Sequence, residues 1–436
     1  MTPDATLPSS PLAIRDFQLF WLARFSSVLA TTGMVVVIGW QVYDLARSQY
    51  ALTIREGALM LGVVGLAQFL PLFVLTPVAG WVADRYERRS VARIAMAADV
   101  GIALVLGAAT VSNTLSLPLL FLLAAIHGAA RVFIGPAMSS IAPNIVPPEL
   151  LPRAIAMSSI AWQSASIAGP ALGGLLYATH AASTYWFAAA TIVVGIVSIS
   201  AVRKIMPPAM SSETTPLRQM ADGLSYVRGH RFLFGAITLD MFAVLLGGAT
   251  AMLPVYARDI LHVGPEGLGW LRAAPAAGAA VVALWFSFRP LRHNVGVKMI
   301  ASVVAFGAAT VVFGASHQLW LSLSALAALG GFDMLSVYVR SSLIQLHTPD
   351  AMRGRVSAVG GLAVSASNEL GEVQSGLAAA LLGPVGAVVA GGIGAIAIAI
   401  GWAYWFPELR RARTFDPPTA VPDTIMADEM MQEKHI

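Results

Sequence analysis

The stretch Gly80-Trp-Val-Ala-Asp84-Arg85-Tyr-Glu-Arg88-Arg89 is a short charged segment between two long apolar runs, and it decides the fold. Glycine at position 80 lets two helices approach closely, because it has no side chain. Asp84 can cap the following helix or pair with an arginine of a neighbouring helix. Arginines hold such a loop on the cytoplasmic side of a membrane, so the stretch predicts a tight turn between two spanning helices. The alternative is an ordinary charged loop whose arginines only set the topology.

The chain around this loop is too apolar for a soluble protein. Of its 436 residues 57% are hydrophobic and 11% are charged, and the mean hydropathy is +0.73. Runs of about twenty apolar residues have the length that crosses a hydrocarbon core as a helix. Twelve runs predict an all-α membrane protein with spans at about 18–44, 57–80, 91–111, 117–141, 155–178, 183–203, 233–256, 267–288, 297–316, 319–344, 356–382 and 385–406.

The basic residues predict the orientation of these spans. With the N-terminus in the cytoplasm, cytoplasmic segments and helix ends hold 20 of the 27 lysines and arginines. Outer loops hold three, Arg47, Arg55 and Arg258, and the remaining four lie within spans. This imbalance predicts a multi-pass protein of the cell inner membrane with both termini cytoplasmic. The same imbalance accounts for the excess of basic over acidic residues in the chain. We therefore do not expect nucleic acid as a partner.

The longest connection divides the predicted spans six and six. A faint internal repeat supports two related halves, since Pro148-Glu149 follows the fourth span and Pro349-Asp350 follows the tenth. An amphipathic stretch from Leu217 to Val227 lies within the connection. We therefore expect a cytoplasmic N-terminal tail at 1–17, six-helix bundles at 18–203 and 233–408, a cytoplasmic linker at 204–232 and a cytoplasmic C-terminal tail at 409–436.

The charged loop resembles the signature loop of the major facilitator superfamily, Gly-x-x-x-Asp-Arg-x-x-Arg-Arg, although Glu87 stands where that family usually has a second glycine. The resemblance covers about residues 15–410. It implies two pseudo-symmetric six-helix bundles around a midplane site, which move by alternating access. It further implies a cytoplasmic gate, separate from the substrate site, formed by Gly80, Asp84, Arg85, Arg88 and Arg89.

A second motif, Gly169-Pro170-x-x-Gly173-Gly174, lies in the fifth predicted span. Proline removes a backbone donor and the glycines leave a flat, kinked surface, so one interpretation is an ordinary bent and packed helix. The motif also resembles the fifth-helix motif of exporters in the superfamily, with Ala165 where a glycine is usual. This resemblance favours export over uptake.

Two further segments are similar to the branch of the superfamily that holds the enterobactin exporter and the macrolide efflux proteins. They are Tyr-Glu-Arg after Asp84-Arg85, and Thr348 to Val356 with Asn368-Glu-Leu-Gly-Glu372 beyond it. The implied function is secondary active export of a siderophore-like or drug-like small molecule by proton antiport. Macrolide or multidrug efflux is the alternative within this class, and a non-transporting membrane sensor or scaffold is the alternative of another class.

Acidic residues inside the spans are candidates for proton coupling, because a buried charge is costly in lipid and usually faces a cavity or a partner. Asp240 and Glu369 lie near the middle of their spans and are the first candidates for a proton antiporter, followed by Asp333 and Glu372. The alternative is structural pairing, for example of Asp333 with Arg340 or of Asp99 with Arg131.

Polar and aromatic residues within the spans are candidates for the cavity wall: Gln41, Trp162, Gln163, Tyr338, Arg340 and Gln374. No phosphate-binding loop or metalloprotease motif is present, and with no cysteine there is no thiolate site. We therefore expect neither an enzyme nor a metal or other cofactor. The expected partners are a small-molecule substrate, protons and the lipid bilayer, and the expected assembly is a monomer.

Overall fold

The computed structural model describes residues 10–205, 216–289, 291 and 293–415, which are almost entirely helical. Six long helices come first: α1 (Arg15–Ser48), α2 (Ile54–Arg85), α3 (Arg88–Val111), α4 (Leu117–Ile145), α5 (Leu151–Thr179) and α6 (Ser183–Ala201). They are followed by α7 (Pro216–Gly229), α8 (Arg231–Leu246), α9 (Leu253–Val255), α10 (Gly264–Phe288), α11 (Val295–Ala315), α12 (Leu319–Leu346), α13 (Asp350–Trp405) and α14 (Pro407–Arg411). Short 3₁₀ turns lie at Pro11–Ala13, Pro148–Leu150 and Ala249–Met252, and a π-helix at Tyr256–Ile260.

Ten helical stretches in the described part of the chain are long and apolar enough to cross a membrane. One of them, Met352–Trp405, supplies two of the predicted spans, because α13 is kinked at Gly383, whose φ is +78°, just before Pro384. The remaining predicted span is α5, which is 29 residues long but is not among these ten stretches. Its sequence contains several serines and glycines, which make it less apolar. The predicted all-α membrane fold is confirmed.

The seventh span is broken rather than continuous. It runs as a regular helix from Arg231 to Leu246, stops at Gly247-Gly248, and reaches Ile260 through 3₁₀ and π turns. A Cβ at Gly248 would lie 2.5 Å from the Ser375 hydroxyl oxygen, so the break brings this backbone against α13. Irregular backbone at this depth is tolerated only where protein or a cavity surrounds it.

The long helices form two groups, which we call the N half (α1–α6) and the C half (α8–α13). The halves touch through α2 against α13 and through α5 against α10. The start of α1 meets the end of α6 through Asp16 and Arg203, and the start of α8 meets α14 through Arg231 and Glu408. We call the end of the molecule with these contacts the termini face, and the opposite end the far face.

The helix α7 lies within the predicted linker and packs on the beginning of α13. Asp222 pairs with Arg355 at 3.4 Å, and a Cβ at Gly223 would lie 2.8 Å from the Arg355 carbonyl oxygen. The amphipathic stretch Leu217 to Val227 therefore forms a helix on the termini face, joined to the C half.

Candidate functional site

Two adjoining cavities lie between the halves. The first, the N-half cavity, has a volume of about 500 Å³ and is lined mainly by α1, α4 and α5. The second, the central cavity, has a volume of about 570 Å³ and is lined by both halves. Val35, Arg131, Trp162 and Arg272 line both, so the two volumes form one binding region of the size that small ligands occupy.

An ion pair joins the two halves at the wall of the central cavity. Arg131 of α4 lies 3.0 Å from the Glu369 carboxylate of α13, and Glu369 is only 6% exposed. Glu372, one turn further along α13, lies 3.9 Å from Arg272 of α10, also in the C half. Two of the four predicted coupling acids therefore face the cavity beside arginines, but only Glu369 has its partner in the opposite half.

Asp240 is the other first candidate for proton coupling, and it is paired within the C half. Its carboxylate contacts the guanidinium of Arg340 on α12, and the two residues are 5% and 6% exposed. The alternative pairing of Asp333 with Arg340 is therefore wrong, because Asp240 occupies that arginine. Asp333 instead lines the central cavity and a small void that it shares with Asp240. Arg340, expected at the cavity, serves this pair instead.

A buried acid–histidine pair lies beside the N-half cavity. Asp99 of α3 and His127 Nδ1 of α4 are 2.8 Å apart, and both side chains are 1% exposed. The alternative pairing of Asp99 with Arg131 is wrong, since Arg131 reaches Glu369 instead. Sequence reasoning missed His127, although an acid and a histidine in consecutive spans were the available signal.

Among the expected cavity residues, Trp162 and Gln163 lie at the wall. Trp162 is 48% exposed and lines both cavities, and Pro170 of the same helix lines the N-half cavity. Gln163 lines the central cavity and donates to the Ala276 carbonyl oxygen of α10 at 2.7 Å. Four consecutive-turn residues of α5, Trp162, Gln163, Ser166 and Pro170, therefore face the binding region.

The other expected cavity residues lie elsewhere. Gln41 is 2% exposed in the interior of the N half, where it donates to the Thr110 hydroxyl at 3.1 Å. Tyr338 stacks on Phe286 with ring centroids 4.9 Å apart. Gln374 is absent from the walls of both cavities, and its buried side-chain oxygen has no hydrogen-bond partner in the described ranges. Polarity within a span did not distinguish an interior hydrogen bond from a cavity wall.

The helix-five glycines pack α5 against two neighbours. A Cβ at Gly173 would lie 2.6 Å from the Gly33 carbonyl oxygen of α1, and one at Gly169 would lie 2.5 Å from the Leu29 carbonyl oxygen. A Cβ at Gly174 would instead lie 2.4 Å from the Pro265 carbonyl oxygen of α10. The motif thus builds one contact inside the N half and a second contact between the halves.

Comparison with known proteins identifies the family. A family model described as "Transmembrane secretion effector" matches residues 6–434. The chain belongs to this major facilitator family. It is 27% identical to the enterobactin exporter EntS of Citrobacter koseri over 412 residues, which cover 93% of this chain and 95% of that protein. It is also 27% identical to EntS of Escherichia coli O1:K1 / APEC, covering 94% and 96%.

Solved structures show the same fold. A bacterial homologue of the human lysosomal transporter Spinster, in an inward-facing and occupied conformation, superposes with a TM-score of 0.70 at 14% identity, covering 92% of this chain and 99% of that one. A D-xylose-proton symporter gives a TM-score of 0.68 at 14% identity, covering 90% and 98%. Family and relatives together make this major facilitator protein a secondary transporter that exports a small molecule, and not an enzyme.

The signature loop of this transporter lies on the termini face. The surroundings of Gly80 and the side chain of Asp84 lie outside what the structure describes, while the backbone there continues α2 to Arg85. Arg85 is exposed. A role of these residues as a gate stays a prediction.

The next two arginines of the loop tie helices of the N half together. Arg88 donates to the Ser140 carbonyl oxygen of α4 at 3.1 Å, and Arg89 donates to the Val202 carbonyl oxygen after α6. Arg89 also pairs with Glu87, the residue that replaces the usual glycine. Burial raises the pKa of Glu87, but hydrogen bonds from Arg89 and Ser90 outweigh it, so the net pKa is lowered.

A charge cluster links the halves at the far face, and the sequence analysis did not predict it. Asp44 of α1 lies 2.9 Å from Arg258, and Arg47 lies 3.7 Å from Asp259. Tyr43 also donates its hydroxyl to Asp259. These crossed pairs close the far face between α1 and the π-helix that ends the seventh span.

The contacts between the halves are concentrated at mid-depth and at the far face. Arg131–Glu369 and Gln163–Ala276 lie at mid-depth, and the charge cluster lies beyond them. Toward the termini face, Cβ atoms at Gly360 and Gly361 of α13 would meet nothing within 4 Å. The charge cluster bridges the far face, while the N-half cavity extends toward the termini face, where Arg24 of early α1 and Ser139 of late α4 line it.

Proposed function

We propose that this protein exports a siderophore-like molecule from the cytoplasm by proton antiport and alternating access. The proposed orientation places the termini face in the cytoplasm, in line with the excess of lysine and arginine there. A cavity open to that side is the loading state of an exporter. The proposed working unit is a monomer of two bundles at 18–203 and 233–408, joined by the linker at 204–232.

The observation that carries the coupling proposal is the ion pair between Arg131 and Glu369. It joins the two halves at the cavity wall, so it can form in one arrangement of the halves and is strained or broken in another. Protonation of Glu369 removes its charge and the attraction to Arg131, and this favours separation of the halves at that point. Glu369 in this cycle releases its proton to the cytoplasm and regains one from the outer side.

Asp240 remains the second candidate for the proton carrier, with Asp333 and Glu372 after it. Its pair with Arg340 lies within the C half and is enclosed, so the proton has a less direct route to it than to Glu369. Asp333 and Glu372 have access to the central cavity.

The coupling proposal is tested in inside-out vesicles with an imposed pH gradient. One proton moving down about 100 mV supplies about 2.3 kcal/mol, which supports a substrate gradient of roughly fiftyfold. Glu369→Gln should still bind and equilibrate substrate but fail to concentrate it. Glu266→Gln, the same exchange at an exposed residue, should concentrate substrate normally. Asp240→Asn tests the second candidate in the same assay.

Each outcome of this assay has a clear meaning. Uphill pumping by both Glu369→Gln and Asp240→Asn would move the proton path to Asp333 or Glu372. Wild-type protein that ignores the pH gradient would contradict proton antiport.

The substrate proposal rests on the relatives, which are named as enterobactin exporters. We propose that the substrate here is likewise siderophore-like. A deletion strain should lose a secreted iron chelator, detected by mass spectrometry of the medium, and the plasmid-borne gene should restore it. Unchanged chelator secretion together with greater sensitivity to macrolides or other drugs would assign the protein to drug efflux instead.

A further inference from the structure

The N-half cavity contains an arginine that forms no ion pair with a carboxylate in the described part of the chain. Arg24 of α1 lines this cavity, and its Nε is enclosed without a hydrogen-bond partner. Within the described part of the chain, no hydrogen bond or ion pair includes its guanidinium. Arg24 as a whole is half-buried, but an enclosed guanidinium nitrogen without a partner is unfavourable, so such a group normally faces a partner that is bound or yet to bind.

The acids nearest to this cavity form no ion pair with Arg24 among the described residues. Asp99, which shares the wall with Arg24, is bonded through Oδ1 to His127 at 2.8 Å, and its Oδ2 is enclosed without a partner in the described part of the chain. Glu369 is paired with Arg131 at 3.0 Å.

The acids of the C half do not compensate Arg24 either. Glu372 lies beside Arg272 at 3.9 Å, and Asp333 lines the central cavity but not the N-half cavity. Among the described residues, Arg24 therefore forms an ion pair with none of these acids of either half.

A second unpartnered polar group lies in the same wall. The buried hydroxyl oxygen of Ser166 on α5 has no hydrogen-bond partner among the residues that the structure describes. Trp162 lies one turn before it on the same helix face and presents a half-exposed indole to the cavity. Since α1 packs along α5, these two residues share the cavity wall with Arg24.

We propose that Arg24, Ser166 and Trp162 form a subsite for an anionic aromatic group of the exported molecule, such as a carboxylate or phenolate on a flat ring. The guanidinium binds the anionic oxygen by charge-assisted hydrogen bonds, which are about twice as strong as neutral ones. The Ser166 hydroxyl binds a second oxygen, and the indole of Trp162 packs on the ring. This inference rests on the proposed function, because it names the chemistry of the molecule that the same cavity would carry.

The test uses two probes that differ in charge but share a ring, salicylate and its uncharged amide salicylamide. Binding is measured by isothermal titration calorimetry on the full chain in lipid nanodiscs, with empty nanodiscs as the blank. Wild-type protein should bind salicylate about tenfold or more tightly than salicylamide. Arg24→Gln should remove this preference by weakening salicylate alone, and Arg24→Lys should restore part of it.

Two variants separate charge recognition from general damage. Trp162→Leu should weaken both probes together, because both share the ring. Arg228→Gln, which removes the same charge from an exposed site on α7, should leave both affinities unchanged.

Equal binding of the two probes by wild-type protein, or binding of neither, overturns the subsite. So does an Arg24→Gln variant that folds normally and keeps its preference for salicylate. The binding measurement needs no ion gradient, so it is independent of the transport assay. Wild-type protein that pumps in response to the pH gradient but does not prefer salicylate refutes only the subsite. A preserved preference without pH-driven pumping refutes only the antiport.

Discussion

Replacing Gly174 by alanine should weaken the closure of the far face while leaving each half folded. The added Cβ would lie 2.4 Å from the Pro265 carbonyl oxygen and 3.0 Å from the Gly269 Cα, both in the C half. Side-chain rotation cannot relieve a clash with backbone atoms. Packing, the charge cluster and a hydrogen bond from Arg55 to the Leu381 carbonyl oxygen at 3.2 Å hold the described parts of the two halves together at this face, and none of these contacts is covalent.

The size of the effect follows from the cost of overpacking, typically about 1–3 kcal/mol for an extra carbon in a tight contact. If opening the far face relieves this cost, the equilibrium between closed and open far face shifts by about 5-fold to 150-fold. Gly173→Ala is the matched control. Its Cβ would lie 2.6 Å from the Gly33 carbonyl oxygen within the N half, so its cost should appear as lower thermal stability.

The assay is a distance measurement by double electron–electron resonance, for which the absence of native cysteine is convenient. Spin labels at Tyr50→Cys and His317→Cys report on the separation of the halves at the far face, since both residues are exposed at helix ends there. Gly174→Ala should increase the long-distance population and Gly173→Ala should not. An unchanged distribution in a folded Gly174→Ala protein, or equal changes in both variants, would refute the reasoning.

Three further predictions concern the paired charges. Arg47→Glu should open the far face in the same distance assay, because the new carboxylate repels Asp259. Adding Asp259→Lys should close the far face again. If the second change does not restore the wild-type distances, this ion pair does not hold the far face closed. Asp99→Leu should lower the free energy of unfolding by about 1–3 kcal/mol, because it leaves the buried His127 ring without its partner, and thermal unfolding in detergent would measure it. Glu87→Gln should lower thermal stability at about pH 7, and by less at about pH 4. Because the pKa of Glu87 is lowered in the folded protein, the ionised carboxylate stabilises the fold above its unfolded-state pKa, and this effect is lost as the pH falls through the folded-state pKa. An equal loss of stability at both pH values would contradict the role assigned to its hydrogen bonds.

Hydrophobic patterning predicted the helices well, because each membrane-spanning helix needs its own run of about twenty apolar residues. The kink at Gly383-Pro384 and the linker helix at Pro216–Gly229 also follow from local sequence. The cavity wall was harder to predict. Trp162 and Gln41 are both polar or aromatic residues within apolar spans, yet one lies at the cavity and the other in the interior of the N half. The rotation of each helix about its own axis decides which residues face the cavity. A helix that is apolar on nearly every side has little hydrophobic periodicity, so its sequence does not predict that rotation.

Ion pairs were the least predictable feature, because their partners are distant in the chain. Spacing along one helix suggested Asp333 with Arg340, seven residues apart on one face. The structure instead pairs Arg340 with Asp240, and Arg131 with Glu369, 238 residues away. A pair across two helices depends on their packing, about which local spacing carries no information.

Depth in the membrane is therefore a weaker guide to proton coupling than the location of each acid's partner. Asp240 and Glu369 both lie near the middle of their spans, and both are neutralised by an arginine. The Asp240–Arg340 pair lies inside the C half, so it can survive every rigid-body movement of the two halves and can serve the fold alone. The Arg131–Glu369 pair crosses between the halves and cannot persist unchanged if they rotate apart. An acid whose neutralising partner is lost in one conformation has to find another partner or a proton there, and that requirement ties its protonation to the transport cycle.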